Sequence, residues 1–178
     1  FKNDDYELAL KLKRSGCVGL GYSLESANED ILKAMNKHIT TEQFTEQTKV
    51  LQKAGITTWT SLVLGYPQET EETLKQTFDC CLENRIYPSS GYLLPQPGTP
   101  IYDYAIEKGL IKDEEGFLMS MGDRQDFSIN YTKIGQEKFE GLVKEHLARL
   151  ARELGIGLDG KDLIKTGVYK ASKPEKRG

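Results

Sequence analysis

The stretch ITTWTSLVLGYPQET, residues 56–70, has the composition of a buried strand that turns directly into a helix. Residues 56–64 are rich in β-branched and aromatic side chains, which favour an extended strand. Gly65 and Pro67 then predict a tight turn. Thr70 is a residue type that commonly caps a helix, and two glutamates follow it where the helix dipole favours negative charge. The stretch therefore predicts a strand–turn–helix unit.

Strand and helix patterns alternate on both sides of this unit. Further short apolar strands are predicted over residues 17–24 and 86–94, and helix patterns precede and follow them. Residues of the type that cap helix N-termini open three of these helices: Ser26, Thr40 and Thr99. Strands that alternate with helices imply right-handed crossovers and a parallel sheet. We therefore expect an α/β fold with three parallel strands.

The pattern weakens after Gly109. Residues 112–130 predict a loop with short elements, whereas residues 136–154 carry the apolar stripe of a long amphipathic helix. Residues 170–178 contain four basic side chains and one glutamate, which predicts a flexible, solvated tail.

The composition is that of a folded globular protein. The chain has 178 residues, a formal net charge of −3 and 38% hydrophobic residues, which fits one domain better than two. This slightly acidic balance argues against nucleic-acid binding through bulk charge, and no apolar run approaches the ~18 residues of a membrane span. Three cysteines form no disulfide framework, which favours the cytoplasm. A start at Phe1 without a signal-like segment suggests a piece of a longer protein.

Ligands of parallel α/β folds bind beyond the carboxyl ends of the strands, where three segments qualify. Glu25 is either a ligand-facing carboxylate or a solvated residue at a helix start. Gly65 either lets backbone approach a ligand or belongs to an ordinary turn. Residues 94–100 hold three prolines, which predict either a rigid rim of a site or a plain linker.

The cysteines and histidines predict no metal site and no catalytic group. Cys80 and Cys81 are adjacent within a predicted helix, so they point in different directions and are expected to be buried. Cys17 opens a strand and is also expected in the core. His38 and His146 lack the i+4 histidine partner of a helical zinc site.

Five segments, taken in their order and spacing, resemble the second half of a radical S-adenosylmethionine (SAM) enzyme. They are GCVGLGYSLES (16–26), ILKAMNK with the following Thr40 (31–40), AGI (54–56), LGYPQET (64–70) and LPQPGTPIY (94–102). The resemblance extends from about residue 4 to residue 113. Its last segment most resembles the subgroup that joins a cobalamin-binding domain to the radical SAM domain.

The resemblance implies a partial TIM-like barrel, the second half of a (βα)6 barrel, which the predicted C-terminal helix follows. SAM in this family lies across the barrel mouth, and a [4Fe-4S] cluster cleaves it to a 5′-deoxyadenosyl radical. Glu25 and Ser23 match contacts to the ribose or methionine part, and Lys37 matches a contact to the methionine carboxylate. The residues that match the adenine site are Val63, Leu64, Gly65, Leu94 and Pro95.

The sequence departs from the family at the cluster. The family holds its cluster with C-x-x-x-C-x-x-C, and Cys17, Cys80 and Cys81 do not have that spacing. We therefore expect this chain alone to be inactive and the parent protein to supply the cluster, with cobalamin implied by the subgroup. Its expected partners are the N-terminal half of the same protein and a second copy that pairs through open sheet edges.

The expected division of the chain is a barrel half over residues 1–113, a helical extension over 114–157 and a flexible tail over 158–178. Two alternative functions stay open. One is a SAM-binding or assembly module without redox chemistry, and the other is a piece of a TIM-like metabolic enzyme with a phosphate site.

Overall fold

The structure is a computed structural model that describes residues 1–122 and 126–157. The predicted tail over 158–178 lies outside the described residues. The strands are β1 (Gly19–Gly21), β2 (Thr57–Trp59), β3 (Ser61–Leu64) and β4 (Ser89–Tyr92). A 3-10 turn at Asn3–Asp5 precedes the helices α1 (Tyr6–Arg14), α2 (Glu29–Ala34), α3 (Thr41–Lys53), α4 (Glu71–Glu83), α5 (Pro100–Glu107), α6 (Glu114–Ser120) and α7 (Gln136–Glu153).

The strands are parallel and lie in chain order. β1 pairs with β2, and β3 pairs with β4, residue for residue along their lengths. A parallel bridge between Glu25 and Leu62 links the continuation of β1 to β3. Within the described residues, β1 and β4 each pair on one side only. The predicted alternation of parallel strands and helices is confirmed.

The central predicted strand differs from the expectation because Thr60 divides it into β2 and β3. Gly21 pairs with Trp59, but the next pair joins Glu25 to Leu62. Three residues of the first strand path, 22–24, therefore lie opposite two residues, 60–61. This is a bulge of one residue, which interrupts the regular ladder and ends the uniform strand.

Four helix starts were predicted from capping residues, and three of them are confirmed. The hydroxyl oxygens of the capping threonines accept backbone N–H groups in the first turns of α3, α4 and α5: Thr40, Thr70 and Thr99. The prediction for Ser26 was wrong, because Asn28 caps α2 and accepts from two backbone amides. Ser26 is buried, and its Oγ lies 3.4 Å from Thr77 Oγ1 on α4.

The main hydrophobic core lies between the sheet and the helices α4 and α7. Its fully buried side chains come from all three of these elements: Leu62, Leu64, Leu74, Phe78, Phe139 and Leu147. The predicted amphipathic helix is therefore confirmed as α7, and its apolar stripe packs on α4. Residues 114–120, within the segment predicted as a loop with short elements, form α6. No helix in the described part of the chain is long and apolar enough to cross a membrane.

Trp59 covers one face of β1. A Cβ atom added to Gly21 would lie 2.0 Å from Trp59 Nε1, and one added to Gly19 would lie 2.6 Å from Trp59 Cζ3. The indole therefore rests on the backbone of both glycines, and a side chain at either position would displace it. The opposite side of the ring is open to solvent, since Trp59 remains 52% exposed.

Gly21→Ala is expected to push the indole off β1. Because Trp59 is half exposed and can move into solvent, the loss of stability should stay below about 1 kcal/mol. The emission of Trp59, the sole tryptophan, should shift to longer wavelength. Urea denaturation followed by fluorescence measures both effects. The matched control is Gly141→Ala in α7, where the added methyl group meets nothing within 4 Å and should stabilise the helix by about 0.5–1 kcal/mol. Unchanged emission in Gly21→Ala would contradict this packing.

Candidate functional site

A cleft of about 850 Å³ opens at the carboxyl ends of β3 and β4. The end of α2 and the start of α5 form its other walls, and most of its surface is apolar or aromatic. Representative lining residues are Met35, Val63, Tyr66, Leu94, Ile101 and Tyr104. A concave, mainly apolar site of this size at strand ends is typical of small-molecule binding in α/β folds. Two of the residues predicted at the adenine site, Val63 and Leu94, line it.

Glu25 lies beside this cleft in a strained turn. Its φ is +64°, and the Ser26 backbone N–H donates to the Leu24 carbonyl over 2.9 Å. That bond spans three residues and makes a γ-turn with a positive φ at its centre, a form that is rare and strained. Non-glycine residues held in this region cost about 1–3 kcal/mol and concentrate at functional sites.

Only one of the two oxygens of the Glu25 carboxylate has a hydrogen-bond partner among the described residues. Its Oε1 accepts a hydrogen bond from Lys37 Nζ over 3.1 Å, so the two predicted residues form an ion pair. Its Oε2 is buried and has no hydrogen-bond partner among the described residues. Buried polar atoms are nearly always paired, so this oxygen has a free position for the donor of a ligand.

Three observations place Glu25 next to the cleft. The Val63 backbone N–H donates to the Glu25 carbonyl over 3.1 Å. Asn36, which precedes Lys37 and has a φ of +54°, lines the cleft. Burial, with a contribution from the Glu25 charge, raises the pKa of the Tyr66 phenol in the cleft wall. The site therefore joins one charged end, the ion pair of Glu25 and Lys37, to one apolar cleft.

Glu69 shapes the loop that forms the floor of the cleft. Its carboxylate accepts from the Gly65 backbone N–H over 3.2 Å and from the Thr73 hydroxyl over 2.6 Å. Gly65 has a φ of +100°, a conformation that suits glycine. Burial raises the pKa of the Glu69 carboxyl, although both hydrogen bonds oppose this shift. The Glu69 carboxylate thus stabilises the turn after β3 through hydrogen bonds to Gly65 and Thr73.

The remaining predicted site residues lie elsewhere. Ser23 lines a separate cavity of about 420 Å³ on the open face of the sheet, and Ser61 Oγ lies 2.8 Å from Ser23 Oγ. Leu64 points into the core, and its carbonyl accepts from the Leu93 backbone N–H over 2.8 Å. Pro95 is buried. The cleft is thus formed by fewer of the predicted side chains than expected.

The cysteines do not fit an iron–sulfur cluster. Cys80 and Cys81 are buried in α4, and burial raises the pKa of Cys80 to about 11 and that of Cys81 as well. Cys17 is half-buried, and its thiol lies 3.6 Å from the Gly19 carbonyl. Clusters are held by thiolates, which burial disfavours. Within residues 1–122 and 126–157, no three His, Cys, Asp or Glu residues are placed to hold a metal ion.

Comparison with known families finds a match for the first part of the chain. The model of the radical SAM superfamily matches residues 2–81. These residues are therefore similar to part of a radical SAM domain. The matched radical SAM segment contains Glu25, Lys37, Gly65 and Glu69, and it ends within α4.

Curated relatives match a longer stretch. An uncharacterized methyltransferase of Pyrococcus horikoshii is 30% identical over 163 residues, 89% of this chain and 33% of the relative. The bacteriochlorophyllide d C-12(1)-methyltransferase of Chlorobaculum tepidum is 30% identical over 153 residues, 85% of this chain and 32% of the relative. A tRNA-2-methylthio-N(6)-dimethylallyladenosine synthase of Corynebacterium diphtheriae is 30% identical over 130 residues, 68% of this chain and 24% of the relative. The chain thus spans about a third or less of these relatives.

A solved structure shares the fold. Coproporphyrinogen III oxidase from Escherichia coli, described as a radical SAM enzyme, superposes with a TM-score of 0.57 and 15% sequence identity. The alignment covers 83% of this chain and 30% of that chain. The predicted fold, part of a TIM-like barrel of parallel strands and helices, is confirmed by this likeness.

Sequence reasoning missed most side chains of the cleft, among them Tyr66 and Asn36. Tyr66 lies in a segment predicted to be either ligand-facing or an ordinary turn, but it is not among the predicted site residues. Asn36 was quoted only within a matching segment, although asparagine is one of the few non-glycine residues that readily adopt a positive φ. A polar residue of that type after a short helix is therefore a usable signal.

Glu25→Gln is expected to lower the pKa of the Tyr66 phenol. The substitution removes the negative charge that disfavours the phenolate, while burial keeps the pKa above the ordinary value of 10.0. Titration of the Tyr66 ring carbons by NMR measures the change. Glu72→Gln, which neutralises an exposed glutamate on α4, is the control and should leave Tyr66 unchanged. An equal response to both substitutions would contradict the proximity of Glu25.

Glu69→Gln is expected to alter the pH dependence of stability. The folded pKa of Glu69 lies above its ordinary value of 4.5, so the folded state binds its proton more tightly than the unfolded state does. Wild-type stability should therefore decline relative to Glu69→Gln as the pH rises from about 4.5 through the raised pKa.

Urea denaturation of both proteins between pH 4 and pH 8 checks this expectation. The informative quantity is the difference in the free energy of unfolding at each pH, since other groups titrate in both proteins. A difference that stays constant, or that changes in favour of the wild type as the pH rises, would count against a raised pKa.

Proposed function

We propose that this chain contributes part of the SAM-binding site of a radical SAM iron–sulfur enzyme, of the methyltransferase or oxidoreductase type. The observation that supports this most directly is the buried, unpartnered Oε2 of Glu25, beside an apolar cleft at the strand ends. A carboxylate oxygen in this state can accept a hydrogen bond from the ammonium or hydroxyl groups of SAM.

The two ends of the site match the two ends of SAM. Lys37, held by Glu25, offers a positive charge to the methionine carboxylate. Val63, Tyr66 and Leu94 offer apolar and aromatic surface to the adenine. When bound, SAM would supply the reactive methyl or adenosyl group, whereas the residues of this chain bind and orient it.

The cluster chemistry belongs to other residues under this proposal. The buried thiols of this chain do not fit a cluster, so we propose that its ligands come from another segment of the parent protein. The same segment would cover the unpaired side of β1. Cobalamin use, a cytoplasmic location and edge-to-edge pairing of two copies remain hypotheses from the sequence. The methyltransferases among the relatives make methyl transfer the favoured reaction type.

Titration of the chain with S-adenosylhomocysteine tests the proposal. We expect NMR shift changes at Glu25, Val63, Tyr66 and Leu94. Glu25→Gln should weaken the affinity about tenfold to a hundredfold, because a hydrogen bond to a charged group contributes ~1.5–3 kcal/mol. Glu72→Gln is again the matched control and should bind as the wild type does.

Two results would overturn the proposal. One is an absence of shift changes at millimolar S-adenosylhomocysteine. The other is binding of inorganic phosphate at the strand ends without binding of the nucleoside, which would favour a phosphate site of a metabolic enzyme.

A further inference from the structure

The bulge between β1 and β3 leaves one backbone donor without its ordinary acceptor. The Tyr22 N–H donates to the Trp59 carbonyl over 3.1 Å. In a regular parallel ladder the next donor, Leu24 N–H, would reach the Ser61 carbonyl. The Ser61 carbonyl instead accepts from Glu25 N–H over 3.0 Å, because the bulge advances the chain by one residue.

The Thr60 side chain replaces the lost acceptor. Its Oγ1 accepts from Leu24 N–H over 2.9 Å, and both residues are buried. The Thr60 carbonyl also accepts from Ser89 N–H over 2.8 Å, so this one residue ties all three strand paths together. An aliphatic side chain at position 60 would leave the Leu24 N–H buried and unpaired, which a folded protein avoids.

The bulge decides which residue ends the ladder. With regular pairing, Leu24 would lie opposite Leu62, and Glu25 would lie opposite Val63. The bulge places Glu25 opposite Leu62, in the γ-turn that holds its carboxylate next to Lys37. A strained turn persists only where surrounding contacts enforce it, and the bond from Leu24 N–H to Thr60 lies directly before this turn.

We infer that Thr60 is a positioning residue. Its hydroxyl stabilises the bulge and thereby holds Glu25 at the cleft. This inference rests on the proposed role of Glu25 in cofactor binding. Thr60 itself contacts neither the cleft lining nor the carboxylate in any hydrogen bond of the described residues. Its effect on a ligand therefore acts entirely through the backbone at Leu24 and Glu25.

Thr60→Val and Thr60→Ser separate the hydroxyl from the shape of the side chain. Thr60→Val removes the acceptor, so the amide protons of Leu24 and Ser26 should exchange with solvent at least about tenfold faster. The pKa of the Tyr66 phenol should fall, as is expected for Glu25→Gln, and the affinity for S-adenosylhomocysteine should fall about fivefold or more. Thr60→Ser keeps the acceptor, so amide exchange, the Tyr66 pKa and the ligand affinity should all stay close to their wild-type values.

Thr45→Val is the matched control for a general loss of stability. Thr45 is a half-buried threonine on α3 whose Oγ1 accepts from the Asn84 side-chain amide over 3.0 Å and has no hydrogen bond to residues 22–25. It should destabilise the protein without moving the Tyr66 pKa or the ligand affinity. Should Thr60→Val fail to fold, Thr60→Cys takes its place, since a thiol is a weaker acceptor and should give smaller changes in the same direction.

The readouts distinguish failure of this inference from failure of the proposed function. The positioning role would be overturned if Thr60→Val kept the Tyr66 titration and amide exchange of the wild type, or if Thr45→Val changed them equally. If the wild type binds no S-adenosylhomocysteine, the proposed cofactor site fails, and amide exchange with the Tyr66 titration still decides whether Thr60 places Glu25.

Discussion

The hydrogen-bond ladder between the first two strand paths breaks at Thr60, and the arrangement of the cleft follows from that break. A regular ladder would carry the first strand path straight past β3. The bulge shifts the path by one residue and turns it at Glu25, while the next strand path turns at Gly65. Both paths therefore deliver a residue with a positive φ to the same edge of the sheet. Polar backbone and side chains converge there because the strands end together.

The two acidic residues near this edge, Glu25 and Glu69, have different roles. Glu69 is buried with both oxygens paired, and its partners belong to the loop and to α4. Its carboxylate is therefore saturated and acts on the shape of the loop. Glu25 keeps one oxygen unpaired within a buried environment, which is costly unless a ligand or another segment supplies a donor. The difference in hydrogen bonding, rather than the residue type, separates a structural carboxylate from a candidate ligand contact.

Local features of the fold could be predicted from the sequence, and features that depend on strand register could not. Thr40, Thr70 and Thr99 cap helices through contacts within three residues, so the sequence pattern was sufficient. Ser26 has the same local pattern, but the γ-turn before it and contact with α4 take its hydroxyl away from α2. The break at Thr60 depends on the pairing of segments almost forty residues apart. Periodicity within residues 56–64 carries no information about such pairing, so a continuous strand was predicted.

The candidate site shows the same division between local and long-range information. Glu25 was identifiable because an acidic residue at the end of an apolar strand is costly to bury. Its pairing with Lys37 was implied only through separate roles in the family resemblance, and the hydrogen bond between them appears only when α2 is in place. Both the γ-turn at Glu25 and the buried Glu69 carboxylate oppose folding, whereas the core around α4 and α7 favours it. A protein keeps such local costs where binding needs a fixed geometry, so their concentration at one edge of the sheet is itself an argument that this edge is the functional one.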